Sequence, residues 1–102
     1  MATGQGAATL TFGNAASRDI HAETVITGQA TIGAASKVEA YLMGDSTADH
    51  SVDEHIMAAT MADLVCHTVV AGTGFTITAL VRDEISKAGL VGDFSVRWVW
   101  AD

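Results

Sequence analysis

The feature that most constrains this chain is the stretch from Leu64 to Val81, LVCHTVVAGTGFTITALV. Two apolar runs rich in β-branched residues flank the turn Gly72-Thr73-Gly74, and each alternates with the period of a strand. The faces predicted for the first run are Leu64, Cys66, Thr68 and Val70 on one side, with Val65, His67 and Val69 on the other. In the second run they are Phe75, Ile77, Ala79 and Val81, opposite Thr76, Thr78 and Leu80. Because glycines adopt the positive φ angles of tight turns, the pattern predicts a central β-hairpin.

Further strands are predicted over residues 8–12, 20–26, 37–43 and 93–101, each of which alternates between apolar and polar positions. Residues 30–36, ATIGAAS, are either a loop or a short strand broken at Gly33. Six or seven short strands separated by turn signals are typical of an all-β fold. We therefore predict a small antiparallel β-sandwich, jelly-roll-like, of six to eight strands with at most one short helix.

The inward faces of these strands follow from the same alternation. They are predicted to carry Ile20, Ala22, Thr24 and Ile26, then Val38, Ala40 and Leu42, and finally Phe94, Val96, Trp98 and Trp100. The last set is the heaviest, because each aromatic ring buries on the order of 150–250 Å². We expect Trp98 and Trp100 to anchor the core.

The segment from Asp45 to His55, DSTADHSVDEH, is the only dense polar stretch. Ser51 and Glu54 have the spacing of a capping box, in which a serine hydroxyl caps a helix and a glutamate reaches back. This predicts one or two helical turns over roughly residues 52–58, followed by extended chain. The alternatives are a helix that runs on toward Asp63 and a bulged strand from Ile56 onward. Residues 82–90 are predicted to form a charged connection.

A chain of 102 residues is predicted to form one domain. The small, glycine-bearing residues 1–7 are predicted to be a flexible N-terminal arm, which leaves residues 8–102 as a single β-sandwich domain. Hydrophobic residues make up 49% of the chain and charged residues 17%. This excess indicates that copies of the chain or a partner cover some apolar surface. The alternative is an ordinary small sandwich rich in Thr and Ala.

Charge and composition exclude several classes of partner. Twelve acidic and five basic residues give a net charge of −7, which repels nucleic acid. No apolar run approaches the roughly 20 residues of a membrane span, and the N-terminus lacks the features of a signal peptide. The single Cys66 forms no intrachain disulfide and is expected to be a buried thiol. We expect a soluble protein made in a reducing cytoplasm.

The sequence contains no convincing catalytic, cofactor or metal motif. The residues that could ligate a metal are Asp45, Asp49, His50, Asp53, Glu54 and His55, but their spacing matches neither a calcium loop nor a zinc site. A solvated, capped loop is the favoured interpretation. Ser51 near two histidines lacks a nucleophile elbow, and Cys66 and His67 point to opposite faces of a strand. An exposed aromatic such as Tyr41 could bind a sugar, although aromatics in so small a domain are more often core.

Several motifs together carry a resemblance: TGQ at residues 27–29, SKVEAYL at 36–42, DHSVDEH at 49–55, VVAGTGFTI at 69–77 and FSVRWVWA at 94–101. In this set the chain resembles small virion proteins of tailed bacteriophages, from about residue 8 onward. These motifs are turn glycines and strand anchors, so the resemblance implies a structural building block without cofactors and not an enzyme.

What the resemblance implies about function has two forms. The first is a capsid decoration or cement protein in the virion, a homotrimer that clamps major-capsid subunits through its strands and N-terminal arm. The second is a tail, fibre or baseplate component. A sugar-binding β module that contacts the host surface is the alternative from another class.

Overall fold

A computed structural model describes residues 2–13, 21–42, 44–81 and 92–102. The elements, in chain order, are β1 (Thr3–Phe12), β2 (His21–Ile26), β3 (Lys37–Leu42), α1 (Val52–Met61), β4 (Ala62–Val70), β5 (Gly74–Val81) and β6 (Gly92–Ala101). Residues 30–36 form turns and no strand, which settles that ambiguity in favour of a loop. The predictions for residues 82–90, Ile20 and Met43 lie outside the described residues.

The strands form two antiparallel three-stranded sheets, with the orders β1-β6-β3 and β2-β5-β4. The pairing is nested, since β1 pairs with β6 and β2 pairs with β5. The prediction of a small all-β fold with one short helix is confirmed. The described part of the chain contains six strands, the lower end of the predicted range.

The core lies between the two sheets, and the predicted inward faces are confirmed for β5 and β6. Its buried strand residues include Leu10, Phe12, Ala22, Ile26, Phe75, Ile77, Ala79, Val81, Phe94, Val96, Trp98 and Trp100. The rings of Phe75 and Trp98, from opposite sheets, meet edge to face at 5.4 Å between centroids. Aromatic pairs in this geometry add about 0.5–1.5 kcal/mol to the free energy gained from burial. Trp98 therefore joins the two sheets, and both tryptophans are buried in the core, as the sequence predicted.

The predicted arm over residues 1–7 is wrong for residues 3–7, which belong to β1 and pair with β6. Gly4 lies opposite Trp100, and Gly6 lies opposite Trp98. A Cβ atom on either glycine would overlap the indole ring of its partner, so each ring occupies the space that a side chain would need. Glycine here makes room for tryptophan, and that is a packing role the local sequence does not reveal.

The predicted hairpin is confirmed as β4 and β5, but its first strand is irregular. Thr68 has a φ of 53°, and the register shifts between His67 and Val70. This β-bulge reverses the alternation, so Val69 turns toward the core and Val70 is exposed. The predicted face of Leu64, Cys66, Thr68 and Val70 is therefore wrong beyond Cys66.

The turn of the hairpin uses its two glycines in different ways. Gly72 has a φ of 74°, the positive conformation that favours glycine in a tight turn. A Cβ on Gly74 would overlap the carbonyl oxygen of Ile26, so this glycine permits close approach to the end of β2. The turn is also bound to the loop after β2, because the Gln29 N–H donates to the Thr73 carbonyl at 2.8 Å.

The predicted capping box is confirmed at the start of α1. Ser51 Oγ accepts the Glu54 N–H at 3.3 Å, and the Ser51 N–H donates to Glu54 Oε1 at 3.0 Å. The helix continues to Met61, beyond the turn predicted over 52–58, and this excludes the alternative of a bulged strand from Ile56. Helix α1 then leads directly into β4.

Candidate functional site

His55 on α1 is fully buried and joins the helix to β6. Its Nδ1 lies 2.9 Å from the Ser51 carbonyl oxygen, and its Nε2 accepts the Ser95 N–H at 2.9 Å. Since Ser95 supplies the proton of the second bond, His55 carries its own proton on Nδ1 and is neutral. Both ring nitrogens are thus occupied by structural bonds, which leaves neither for metal binding or proton transfer.

His50 stacks on the buried ring of Phe94, with the ring planes 11° apart and the centroids separated by 4.0 Å. Its Nδ1 donates to Glu54 Oε2 at 2.9 Å. This hydrogen bond and the Ser51 N–H together lower the pKa of Glu54 from 4.5 to about 2. The first turn of α1 is therefore stabilised by a charged carboxylate over most of the pH range.

Two acidic residues of the polar loop also bind β6. Asp49 Oδ2 accepts the Asp93 N–H at 2.9 Å. Asp45 accepts hydrogen bonds from Arg97 and Ser95, with its shortest contact to Arg97 at 3.0 Å. Within the described residues, no group of three His, Cys, Asp or Glu side chains is placed to hold a metal ion. Through these hydrogen bonds, the polar segment attaches the start of α1 to β6.

The residues considered for nucleophilic chemistry are placed apart or engaged elsewhere. Ser51 Oγ accepts the capping bond from Glu54. Cys66 is half-buried on the core side of β4, whereas His67 is exposed and hydrogen-bonded to Thr78 at 2.6 Å. Burial raises the pKa of the Cys66 thiol, and the negative charge of Glu39 raises it further. A raised pKa disfavours the thiolate, which is the reactive form of cysteine.

The outer face of the sheet β1-β6-β3 carries a broad groove. It has a volume of about 850 Å³, and Val99 of the central strand lies on it between Gln5 and Glu39. A smaller groove of about 400 Å³ adjoins it at Gln5 and Val99 and reaches Tyr41 and Arg97. Polar side chains around one partly exposed aromatic ring are suited to binding a small polar ligand.

The outer face of the other sheet, β2-β5-β4, has a different character. Its large apolar side chains project into solvent: Val25 is 64% exposed, Val65 52% and Leu80 48%. The register places Leu80 opposite Asp63 and Val65 opposite Thr78, so Leu80 and Val65 are diagonal neighbours across the two strands. Exposed apolar neighbours on the outer face of a sheet are typical of a protein–protein contact.

Helix α1 presents a second apolar surface. Val52, Ile56 and Met57 are 44%, 54% and 64% exposed. A small groove of about 250 Å³ lies where α1, β3 and β4 meet, lined in part by Ala59, Tyr41 and Leu42. The apolar side of this helix was not among the expectations from the sequence, which placed its first turn in a solvated, capped segment. The available signal was the spacing of Val52, Ile56 and Ala59, which places the three on one side of a helix.

Comparison with models of protein families, with curated proteins and with solved structures found no match. The one helix of the described residues, α1, is too short to cross a membrane. The surfaces described above are therefore the basis for assigning a role.

Proposed function

We propose that this chain is a structural building block of a virion, and specifically a capsid decoration or cement protein that binds the major-capsid shell as a homotrimer. The observation that carries the proposal is the set of exposed apolar side chains on the outer face of the sheet β2-β5-β4, Val25, Val65 and Leu80. Burying such residues between subunits is favourable by about 25 cal/mol per Å² of apolar area.

The arrangement of polar residues supports a binding role over catalysis. His55, Asp45 and Asp49 are each engaged in bonds that hold α1 and β6 together. A decoration protein needs a rigid body with adhesive outer surfaces, and its overall affinity for a shell comes from many equivalent contacts. The resemblance of the chain to small phage virion proteins supports the same role.

The predicted mode of attachment changes in one respect. Residues 3–7 pair with β6 and so do not form a free arm that reaches a neighbouring subunit. We assign self-association to the outer face of β2-β5-β4 instead. The trimer is the simplest closed form for a protein placed at threefold positions of a shell.

The first test is the position of the protein in intact particles, by cryo-electron microscopy of virions that contain this chain. We expect density for the protein on the shell at a constant copy number, and particles with it should resist heat better than particles without it. Density restricted to the tail would instead support the second assignment, a tail, fibre or baseplate component.

The second test is sedimentation of the purified protein. Wild-type protein should sediment as a trimer, and Leu80→Gln should shift it toward monomer because the substitution removes an exposed apolar contact from the sheet face. Thr9→Gln is the matched control, since Thr9 is exposed on β1 in the other sheet. Equal effects of the two substitutions would contradict the assigned surface.

A sugar-binding module is the second candidate, and the groove on the outer face of β1-β6-β3 favours it. Tyr41 is 42% exposed beside Arg97, and Gln5 and Glu39 supply amide and carboxylate groups nearby. Sugars bind to proteins through this combination of a ring surface and planar polar groups. Titration of ¹⁵N-labelled protein with a panel of oligosaccharides tests it, and shifts confined to these residues would favour it.

A further inference from the structure

Helix α1 buries few of its side chains. His55 and Ala58 are its buried residues, and they lie three apart on the side that faces the sheets. Val52 and Ile56 are four apart, and Ala59 is three further along, so these three form a stripe along another side. The stripe is apolar and exposed. Packing against the rest of the described chain therefore does not account for its composition.

The stripe continues onto the neighbouring elements. The Cβ position of Gly44, just after β3, lies 3.5 Å from Val52 Cγ1 and 3.8 Å from Ile56 Cδ1, so both side chains lie over this glycine. Further along the helix, Ala59 lines the 250 Å³ groove together with Tyr41 and Leu42 of β3. We call this continuous surface the seam: Tyr41, Leu42, Val52, Ile56 and Ala59.

The charge around the seam is negative. Asp53 and Glu54 lie in the first turn of α1, and Glu39 precedes Tyr41 by two positions on the outward side of β3. In the part of the chain that the structure describes, the lysine and arginine side chains are Lys37 and Arg97, and Arg97 is bound to Asp45. A second copy placed symmetrically on this seam would bring the same carboxylates together, which is unfavourable.

We infer that the seam docks a segment of a partner protein in which apolar side chains are flanked by lysine or arginine. The apolar side chains would fill the groove beside Ala59 and cover Ile56, and the cations would face Asp53 and Glu39. This inference rests on the proposed function for the identity of the partner, a subunit of the shell. The chemistry of the seam itself is independent of that identity.

The experiment uses full-length ¹⁵N-labelled protein and two synthetic peptides of equal length, one of alternating Leu and Lys and one of alternating Leu and Glu. We expect the Leu/Lys peptide to shift the amide signals of residues 41–42 and 52–59, with affinity that falls as salt is raised. The Leu/Glu peptide should not bind there. Equal binding of the two peptides, or shifts confined to other surfaces, would overturn the inference.

Ile56→Gln tests the apolar part of the seam and should weaken binding of the Leu/Lys peptide at least about tenfold, as loss of a central interface residue does. Val25→Gln is the matched control, because Val25 is also exposed but lies on the sheet β2-β5-β4. The control should leave peptide affinity unchanged. An unchanged affinity in Ile56→Gln, with the fold verified by its amide spectrum, would overturn the inference.

Two further outcomes separate this inference from the proposed function. If Ile56→Gln, and not Leu80→Gln, dissociates the oligomer, the seam binds a second copy of the chain and the inference is wrong. If the Leu/Lys peptide binds the seam while particles lack the protein, the seam inference is supported and the virion assignment fails.

Discussion

The pair β1-β6 and helix α1 use apolar residues in opposite ways. In β1-β6 the two largest side chains, Trp98 and Trp100, are 6% and 3% exposed, and glycines on the neighbouring strand make room for them. In α1 the side chains of Val52, Ile56 and Met57 remain between 44% and 64% exposed. The difference separates the apolar residues that stabilise the fold from those whose exposure is the basis of the docking proposed for the seam.

The largest expected effect on stability is at the buried tryptophans of β6. Trp98→Ala and Trp100→Ala should each lower the free energy of unfolding by roughly 3–5 kcal/mol, because a buried ring is removed and a cavity remains. Trp100→Ala also leaves Gln29 Oε1 without the indole N–H that it accepts at 2.9 Å. Urea denaturation measures both, and near-wild-type stability in either variant would show that its ring is not an anchor.

Gly6→Val tests whether the glycines are needed for the rings. The new side chain would overlap the Trp98 ring, and overpacking of this kind costs about 1–3 kcal/mol. Ala7→Val is the control on the adjacent, exposed position of β1, where a β-branched residue fits a strand. If both variants unfold at the same urea concentration, Gly6 is not making room for Trp98.

His55→Ala tests the connection between the two regions. It removes the acceptor of the Ser95 N–H, and leaving a buried donor unpaired costs about 1–3 kcal/mol. Circular dichroism should show loss of α1 before loss of the sheets during chemical denaturation. Simultaneous loss of helix and strand signals, at wild-type stability, would mean that this bond does not hold the helix.

The pH dependence of stability should report the Glu54 contact. The pKa of Glu54 is lowered to about 2, so its stabilising effect is present above the ordinary value of 4.5 and is lost as pH falls from 4.5 toward 2. The difference in stability between wild type and Glu54→Gln should therefore shrink over this range. Denaturation series at several pH values measure it, and parallel curves for the two proteins would contradict the assignment.

The smallest effect on stability is expected at the exposed residues of α1. Ile56→Gln should change the free energy of unfolding by no more than about 0.5 kcal/mol, as exposed substitutions usually do. Thermal denaturation checks this. A loss of several kcal/mol would place Ile56 in the core and remove the contrast between the two regions.

The sequence was sufficient for the inward faces of β5 and β6 because alternation is a local pattern. It predicted Phe94, Val96, Trp98 and Trp100 on one side of β6 and the capping box at Ser51, and both are confirmed. Prediction from the sequence failed where a residue far along the chain determines the local structure. Residues 3–7 look flexible alone and become a strand because Trp98 and Trp100 lie across from Gly6 and Gly4.

The candidate surfaces were less predictable than the fold. His55 was considered as a metal ligand. It is instead a buried residue that links α1 to β6 by accepting the Ser95 N–H, and Ser95 is distant in sequence. The bulge at Thr68 reverses the faces of β4 within a strand that contains no glycine or proline, so neither residue marks it. The seam can be recognised only once α1 is known to lie beside β3. Tertiary packing determines that position, and the local sequence does not show it.

The nested pairing also has a consequence for how the chain reaches its folded state. The hairpin β4-β5 joins neighbours in sequence, whereas β1 pairs Thr3 with Ala101, its most distant partner. Contacts between such distant residues form slowly, because a long loop must close first. During synthesis β1 is made before β2 to β6, so its edge toward β6 stays unpaired until β6 has been made. Unpaired strand edges of this kind favour aggregation during folding.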